Sequence, residues 1–288
     1  MSSSKSSAKS LRIPKWLRVK LPSDPTFAQT GGLLKDLGLN TVCQGAKCPN
    51  IYECFSKHVA TFLIMGRTCT RGCAFCNIGL GKVEPLDPDE PSRVAEAAKR
   101  LQLKHVVITS VTRDDLPDGG AAHFVATIQA VREAKPGCTI EVLIPDFQGD
   151  ETALRAVIEA GPEIINHNVE TVPDLYSHIR PQADFEQSIE LLERVKAAGV
   201  ISKSGLMVGL GETDDQVRVL LDSLAAAKVE IVTIGQYMRP SGAHPEVLRY
   251  VEPEIFEGYA EYGKGLGIPH VFSAPRVRSS YNAADFVE

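Results

Sequence analysis

No apolar run in these 288 residues is long enough to span a membrane before a charged side chain interrupts it, so a membrane-embedded role is not expected. The first basic residues are not followed by the apolar centre of a secretory leader, so export is not expected and the cytoplasm is the expected compartment. Positive charge is not in excess. With 31 Lys and Arg against 36 Asp and Glu the net charge is −5, which argues against nucleic-acid binding as the main task. Tryptophan occurs once, at Trp16, and reads as a packing anchor for the segment around it. What acid-free charge there is lies at the start: Lys5, Lys9, Arg12, Lys15, Arg18 and Lys20 occur with no Asp or Glu before residue 23. A Ser-rich basic start is shared with organelle transit peptides, but residues 13–22 read as part of the folded protein, preceded by a disordered tail of about ten residues.

Seven cysteines are present, and six of them fall between residues 43 and 76. In a reducing compartment, clustered cysteines serve metal binding or catalysis rather than disulfides. Cys138 stands apart, opens an apolar run, and reads as a small core residue. None of the seven histidines belongs to a ligand-spaced pair.

From residue 59 onward, short Val-, Ile- and Thr-rich runs alternate with segments of helical period. Strands are expected at 59–65, 105–111, 139–144, 163–168, 201–208, 230–235 and 269–272, and helices at 91–102, 120–134, 150–160, 185–198, 213–227 and 253–265. Ser92, Asp150, Asp184 and Thr213 are the expected N-caps, with Gly161 and Gly199 as C-terminal stops. Such alternation implies parallel crossovers, and six units fit a partial (β/α)6 barrel of the α/β class rather than a closed eight-fold one. The expected division is an N-terminal extension over 1–57, the barrel over 58–272 and a C-terminal extension over 273–288. In barrels of this kind the chemistry sits at the C-terminal ends of the strands.

Immediately after the first strand, the run MGRTCTRGCAFCN places Cys69, Cys73 and Cys76 at C-x3-C-x2-C. Three thiolates on one loop, with Gly72 expected to permit an unusual turn, suit an iron–sulfur cluster or zinc. Zinc motifs usually pair cysteines as C-x2-C, and a four-iron cluster with three protein thiolates keeps one iron open. This motif resembles the radical S-adenosylmethionine superfamily, in which the open iron chelates S-adenosylmethionine and its reductive cleavage yields a hydrogen-abstracting 5′-deoxyadenosyl radical. The resemblance extends to Gly119 and Gly120, similar to a glycine pair near the methionyl amine. It includes Asn168 and Glu170, similar to a ribose-contacting pair, and the glycine-rich run 205–212 with Gly209 and Gly211, similar to the strand near the adenine.

Upstream, Cys43, Cys48 and Cys54 form C-x4-C-x5-C, again three thiolates with no local fourth. That triplet, the ATF run, the second triplet and a terminal RSSY together resemble the lipoyl synthase family, from Pro14 to about Ala284. The resemblance implies two [4Fe–4S] clusters, with Ser280 as the fourth ligand of the auxiliary one. It implies insertion of sulfur at C6 and C8 of an octanoyl chain amide-linked to a lysine of a lipoyl carrier protein. Two molecules of S-adenosylmethionine are consumed and the auxiliary cluster is sacrificed as sulfur donor. Expected partners are an octanoylated lipoyl domain or glycine cleavage H protein, a reductant such as ferredoxin or flavodoxin, and an iron–sulfur carrier. The basic stretch 12–20 is then an expected docking surface for an acidic carrier, and Arg278 closes the auxiliary site, contacts the carrier or is an exposed arginine of the tail. A biotin-synthase-like enzyme would lack the upstream triplet and the terminal serines. A ferredoxin-like electron carrier would need four ligands per cluster and no substrate cavity.

Overall fold

A computed structural model describes residues 12–18, 26–56 and 60–280. The apolar runs become one eight-stranded sheet whose spatial order follows the chain: β1 (Asn40–Thr41), β2 (Thr61–Ile64), β3 (His105–Ser110), β4 (Thr139–Leu143), β5 (Ile164–Asn166), β6 (Ile201–Val208), β7 (Ile231–Gln236) and β8 (His270–Ser273). β1 pairs antiparallel with β2, and every later pair is parallel. The sheet ends at β1 on one side and β8 on the other, so the barrel is open, as the expected partial barrel requires. All four residues of β2 and all six of β7 are buried, as in parallel strands covered on both faces.

Six crossovers link the seven parallel strands: α4 (Glu90–Arg100), α5 (Ala121–Ala134), α6 (Glu151–Glu159), α7 (Phe185–Ala197), α8 (Asp214–Ala226) and α9 (Pro253–Gly265). Each turns its apolar stripe to the sheet, with Val94, Ala97 and Ala98 of α4 and Val217, Leu220 and Leu224 of α8 buried. Asp150 caps α6 through the amides of Thr152 and Ala153, Asp184 caps α7 through Gln187, and Thr213 forms a capping box with Gln216 on α8. Ser92 does not cap. α4 starts after Asp89, Pro91 occupies its first turn, and the Ser92 hydroxyl donates back to the Asp89 carbonyl at 2.8 Å. Gly161 and Gly199 take left-handed φ of 74° and 79° past their helices, as expected.

Toward the N-terminal ends of the strands, the barrel interior holds a buried ion pair. Lys203 Nζ lies 2.8 Å from Glu141 Oε1, with both side chains fully buried and His105 Nε2 3.2 Å from the other carboxylate oxygen. Such a pair resists loss of either member, because the survivor is a stranded charge. The opposite ends are free for chemistry.

Before the barrel come α1 (Thr26–Asp36), α2 (Val42–Gly45) and α3 (Ile51–Ser56), which the sequence pattern did not announce. Phe55 of α3 is buried beside Phe27 of α1, with ring centroids 5.7 Å apart. Trp16 is not the expected anchor: it is 42% exposed, and its neighbour Leu17 is the buried residue. The expected disordered tail 1–10, Lys20 of the basic stretch and everything after Ser280 lie outside the described residues. Among those described, no helix is long and apolar enough to cross a membrane.

Candidate active site

The loop after β2 is held from both ends. Met65, at φ 68°, donates its amide to Glu90 Oε2 at 2.8 Å, and the same oxygen lies 2.8 Å from His123 Nε2. A two-residue parallel pair, Thr68–Cys69 against Gly79–Leu80, closes the base of the loop. Cys69 Sγ accepts the amides of Arg71 and Thr112 at 3.4 and 3.3 Å. The left-handed backbone is at Met65 and Gly66, and Gly72 does not adopt it, so the expected unusual turn at Gly72 is corrected. A Cβ at Gly72 would come within 3.3 Å of the exposed Leu80 side chain.

Arg71, between the first two cysteines, is the loop's anchor. Its guanidinium donates to Asp114 at 2.6 and 2.9 Å and to Asp146 at 2.7 Å twice, with only 8% of the side chain exposed. Asp114 follows β3 and Asp146 follows β4, so one buried bidentate pair of ion pairs bolts the cysteine loop to two strand ends. Burial disfavours the charged form of Arg71, but the two carboxylates more than reverse this and raise its pKa.

The upstream triplet is built on short elements. Thr41 caps α2 by accepting the Gln44 amide at 3.3 Å, and Cys43 sits in its first turn. The chain then turns through Lys47 at φ 51°, and the Cys48 amide donates to the Cys43 carbonyl at 3.0 Å. Cys54 lies on α3. The C-terminal segment crosses back to this region. Asn50 Nδ2 donates to the Arg276 carbonyl at 2.7 Å, and Arg276 pairs with Glu53 at 2.7 Å.

A cavity of about 330 Å³ opens over the C-terminal ends of the strands. Cys69, Cys73 and Cys76 line one part of it, Cys43 and Cys48 another, and Ser279 and Ser280 reach it from the chain terminus. Cys54 is not among the lining residues. Burial pushes the Cys43 thiol up to about 11 and the Cys76 thiol up to about 12, and it raises Cys73 as well.

Past Asn166, the end of β5, the His167 amide still donates to the Lys203 carbonyl of β6 at 3.0 Å, the chain pairs with β6 again through a bridge from Glu170 to Leu206, and both Asn168 and Glu170 line the cavity. Glu170 takes φ 65° there. Asn168 Nδ2 donates to Glu170 Oε1 at 3.0 Å and to Ser279 Oγ at 3.3 Å, while its buried Oδ1 has no partner. Burial raises the Glu170 carboxyl, and Arg180 opposes that shift. Arg180 is fixed by the carbonyls of Asn168 and Val169 at 3.0 and 3.2 Å and by the Tyr176 hydroxyl at 3.0 Å.

Four expected glycines lie elsewhere. Gly119 and Gly120 do not line this cavity: a Cβ on Gly120 would fall 2.4 Å from Met65 Sδ, and one on Gly119 would fall 3.0 Å from Phe147. Gly209 and Gly211 are also outside it, Gly209 being packed beneath Gln236 and the Arg249 carbonyl. The glycine of that run that does face the cavity is Gly205, in the middle of β6, where a Cβ would meet Thr233 Oγ1 at 2.6 Å and Asn168 Oδ1 at 2.8 Å. Arg71 and Arg180 were missed by the sequence pattern. A charged residue inside a cysteine run was the one available signal for Arg71.

The model of the Radical SAM superfamily matches residues 63–224. The chain is 64% identical to the lipoyl synthase of Oleidesulfovibrio alaskensis over 288 residues, covering 100% of this chain and 99% of that protein. It is 66% identical to the lipoyl synthase of Nitratidesulfovibrio vulgaris over 283 residues, covering 98% and 95% respectively. The chain belongs to the lipoyl synthase family. Among solved structures, SuiB of Streptococcus suis bound to S-adenosylmethionine superposes with a TM-score of 0.60 at 14% identity, over 85% of this chain and 60% of that one, a likeness of fold.

A lipoyl synthase is a sulfurtransferase, and its cofactors are S-adenosylmethionine and [4Fe–4S] clusters. The donor set fits them. Five soft sulfur donors face one cavity, and Asn168, which also lines it, carries a buried Oδ1 with no protein partner. Among the described residues, no three His, Cys, Asp or Glu side chains converge on a single ion. Tetrahedral zinc would need sulfurs about 3.8 Å apart, whereas a cluster takes one thiolate per iron and does not require that convergence.

Proposed function

We propose that Cys69, Cys73 and Cys76 hold the cluster that binds S-adenosylmethionine, and that Cys43, Cys48, Cys54 and Ser280 hold the auxiliary cluster. The substrate is an octanoyl chain amide-linked to a lysine of a lipoyl carrier protein, a lipoyl domain or glycine cleavage H protein, and sulfur enters at C6 and C8. When bound, the clusters and two molecules of S-adenosylmethionine supply hydrogen abstraction and sulfur, with a ferredoxin or flavodoxin as reductant and an iron–sulfur carrier restoring the auxiliary cluster.

The observation that supports this most is that one cavity is lined by Cys69, Cys73 and Cys76, by Cys43 and Cys48 of the upstream triplet, and by the terminal serines. Its walls between them are largely apolar, with Leu63, Val111, Leu143, Ile144 and Leu206 among them, which suits an alkyl chain with no group to hydrogen-bond. The residues of this chain orient and shield. Asn168 offers a free acceptor and Glu170 a carboxylate to a vicinal diol such as a ribose. Gly205 leaves room for the Asn168 and Thr233 side chains to pack against β6, which holds Asn168 in the cavity wall. The buried walls exclude water from a carbon radical that water-borne partners would quench. The glycines Gly119, Gly120, Gly209 and Gly211 serve through backbone shape rather than ligand contact.

The test is anaerobic reconstitution, iron counting, and incubation with reductant, S-adenosylmethionine and an octanoyl-lysine peptide. The expected products are 5′-deoxyadenosine and the dithiolated peptide. Protein that carries its iron yet leaves the octanoyl peptide unaltered would overturn the reading.

A further inference from the structure

Asn77 directly follows Cys76, and its side-chain amide donates to the carbonyl of Gly45 at 2.8 Å, across 32 residues. Gly45 is the last residue of α2, two after Cys43 and three before Cys48. The bond therefore runs from one cysteine triplet to the other. Gly45 has no left-handed φ, so its missing side chain is not a conformational need. It is a need for space: a Cβ would sit 2.8 Å from Ile78 Cδ1 and 3.8 Å from Leu63 Cδ2.

The contact is also thin. Asn77, Ile78 and Leu63 line the central cavity on one side and a second crevice of about 430 Å³ on the other, bounded by Asn40, Gln44 and Arg67. Beyond the pairing of β1 with β2, strands that each precede one triplet, the two cysteine segments are tied along this line and at an exposed hydrogen bond from Arg67 to Asn40. Each end of the line is itself anchored. His244 Nε2 lies 3.1 Å from the Cys76 carbonyl, and α2 is capped by Thr41.

We propose that the Asn77–Gly45 hydrogen bond, with Ile78 seated on Gly45, is a strut that sets the spacing between the two triplets. Asn77 is a positioning residue for sulfur insertion and not for cleavage of S-adenosylmethionine. This rests on the assignment of one cluster to each triplet given above. Cleavage needs only the Cys69, Cys73 and Cys76 side. Carbon–sulfur bond formation needs a carbon of the substrate to lie within reach of both sides at once, and a misplacement of about 1 Å can cost such a step up to a hundredfold. Loosening the strut therefore uncouples the two.

Asn77→Ala, Gly45→Ala and the double variant Gly45→Ala with Ile78→Val are reconstituted, and their iron and sulfide are counted. In Asn77→Ala, 5′-deoxyadenosine formation should persist while sulfur inserted per 5′-deoxyadenosine falls by about tenfold. The magnetic interaction between the two reduced clusters, read from the electron paramagnetic resonance spectrum, should change in parallel. Gly45→Ala should uncouple in the same way, and removing the Ile78 Cδ1 that it strikes should restore both readouts. Should Asn77→Ala fail to load, the Gly45 pair decides alone. An unchanged ratio with an unchanged inter-cluster signal sinks the strut, as does a Gly45→Ala defect that the Ile78→Val change leaves in place. Wild-type protein run alongside separates the two readings: if it makes no dithiolated peptide, the function assigned above fails, not the strut.

Discussion

Asn50 Nδ2 donates to the main-chain carbonyl of Arg276 at 2.7 Å, joining residues 226 apart in sequence and tying the C-terminal segment to the upstream cysteine region. Asn50 is 1% exposed, so its truncation removes a buried side-chain tie to the C-terminal segment. Asn50→Ala is expected to destabilise the cluster-free protein by roughly 1–3 kcal/mol in urea titrations and to speed tryptic cleavage after Arg276 and Arg278. Ser280→Ala should retain cleavage of S-adenosylmethionine but lose sulfur transfer, measured as lipoyl peptide per 5′-deoxyadenosine. Undiminished lipoyl formation would refute the ligand role.

Arg71 offers the sharpest stability test. Burial alone pushes the Asp146 carboxyl up, but hydrogen bonds and attraction from Arg71 more than reverse this and hold it below its ordinary 3.8. A depressed carboxyl contributes stability that is complete above pH 3.8 and lost as pH falls from there through the lower folded value. Arg71→Met should cost roughly 3–5 kcal/mol near neutrality, because it strands two carboxylates, and should flatten the acid limb below about pH 4. Urea midpoints across pH 3–7 read both effects.

His167 predicts a different pH window. It is buried, with Nδ1 2.9 Å from the Ile144 carbonyl and Nε2 3.1 Å from Ser188 Oγ, and burial lowers its pKa from 6.5 to about 4. The folded state thus favours the neutral ring. Its contribution is full above pH 6.5 and declines as pH falls toward 4, by a few kcal/mol in all. A His167→Gln variant should show a shallower loss of stability between pH 6.5 and 4 than wild type. Parallel curves would mean that another group sets that slope.

The glycines separate cavity from scaffold. Gly205→Ala places a methyl against Thr233 and Asn168 in the cavity floor and is expected to raise the KM for S-adenosylmethionine by about tenfold or more. Gly120→Ala strikes Met65 outside the cavity and should cost roughly 1–3 kcal/mol of stability while leaving that KM near the wild-type value. Thermal melts and initial-rate kinetics on both variants distinguish the two kinds of glycine.

Much of the barrel could be read from pattern because its causes are local. β-branched runs such as VVITS at 106–110 have few alternatives to a buried strand, and Asp150, Asp184 and Thr213 cap helices through amides two or three residues away. Ser92 misled because the helix already starts at Glu90, with Asp89 at the cap position and Pro91 in the first turn. The helices α2 and α3 escaped notice because four and six residues are too few to show a period. The glycine pairs are ambiguous for another reason. A glycine is required equally by a left-handed turn, by close packing and by a ligand, and only its neighbours distinguish these.

The spacing of the cysteines and the alternation of strand with helix were determined by the sequence itself, since each depends on residues within a turn or two of one another. Tertiary structure alone decided which groups share the cavity. Arg71 finds Asp114 and Asp146 from 43 and 75 positions away, Asn77 finds Gly45, and Asn50 draws in the segment that carries Ser280. No local period encodes such meetings. They follow from how seven strand ends converge when the sheet curls, because that curl brings distant loops to one rim.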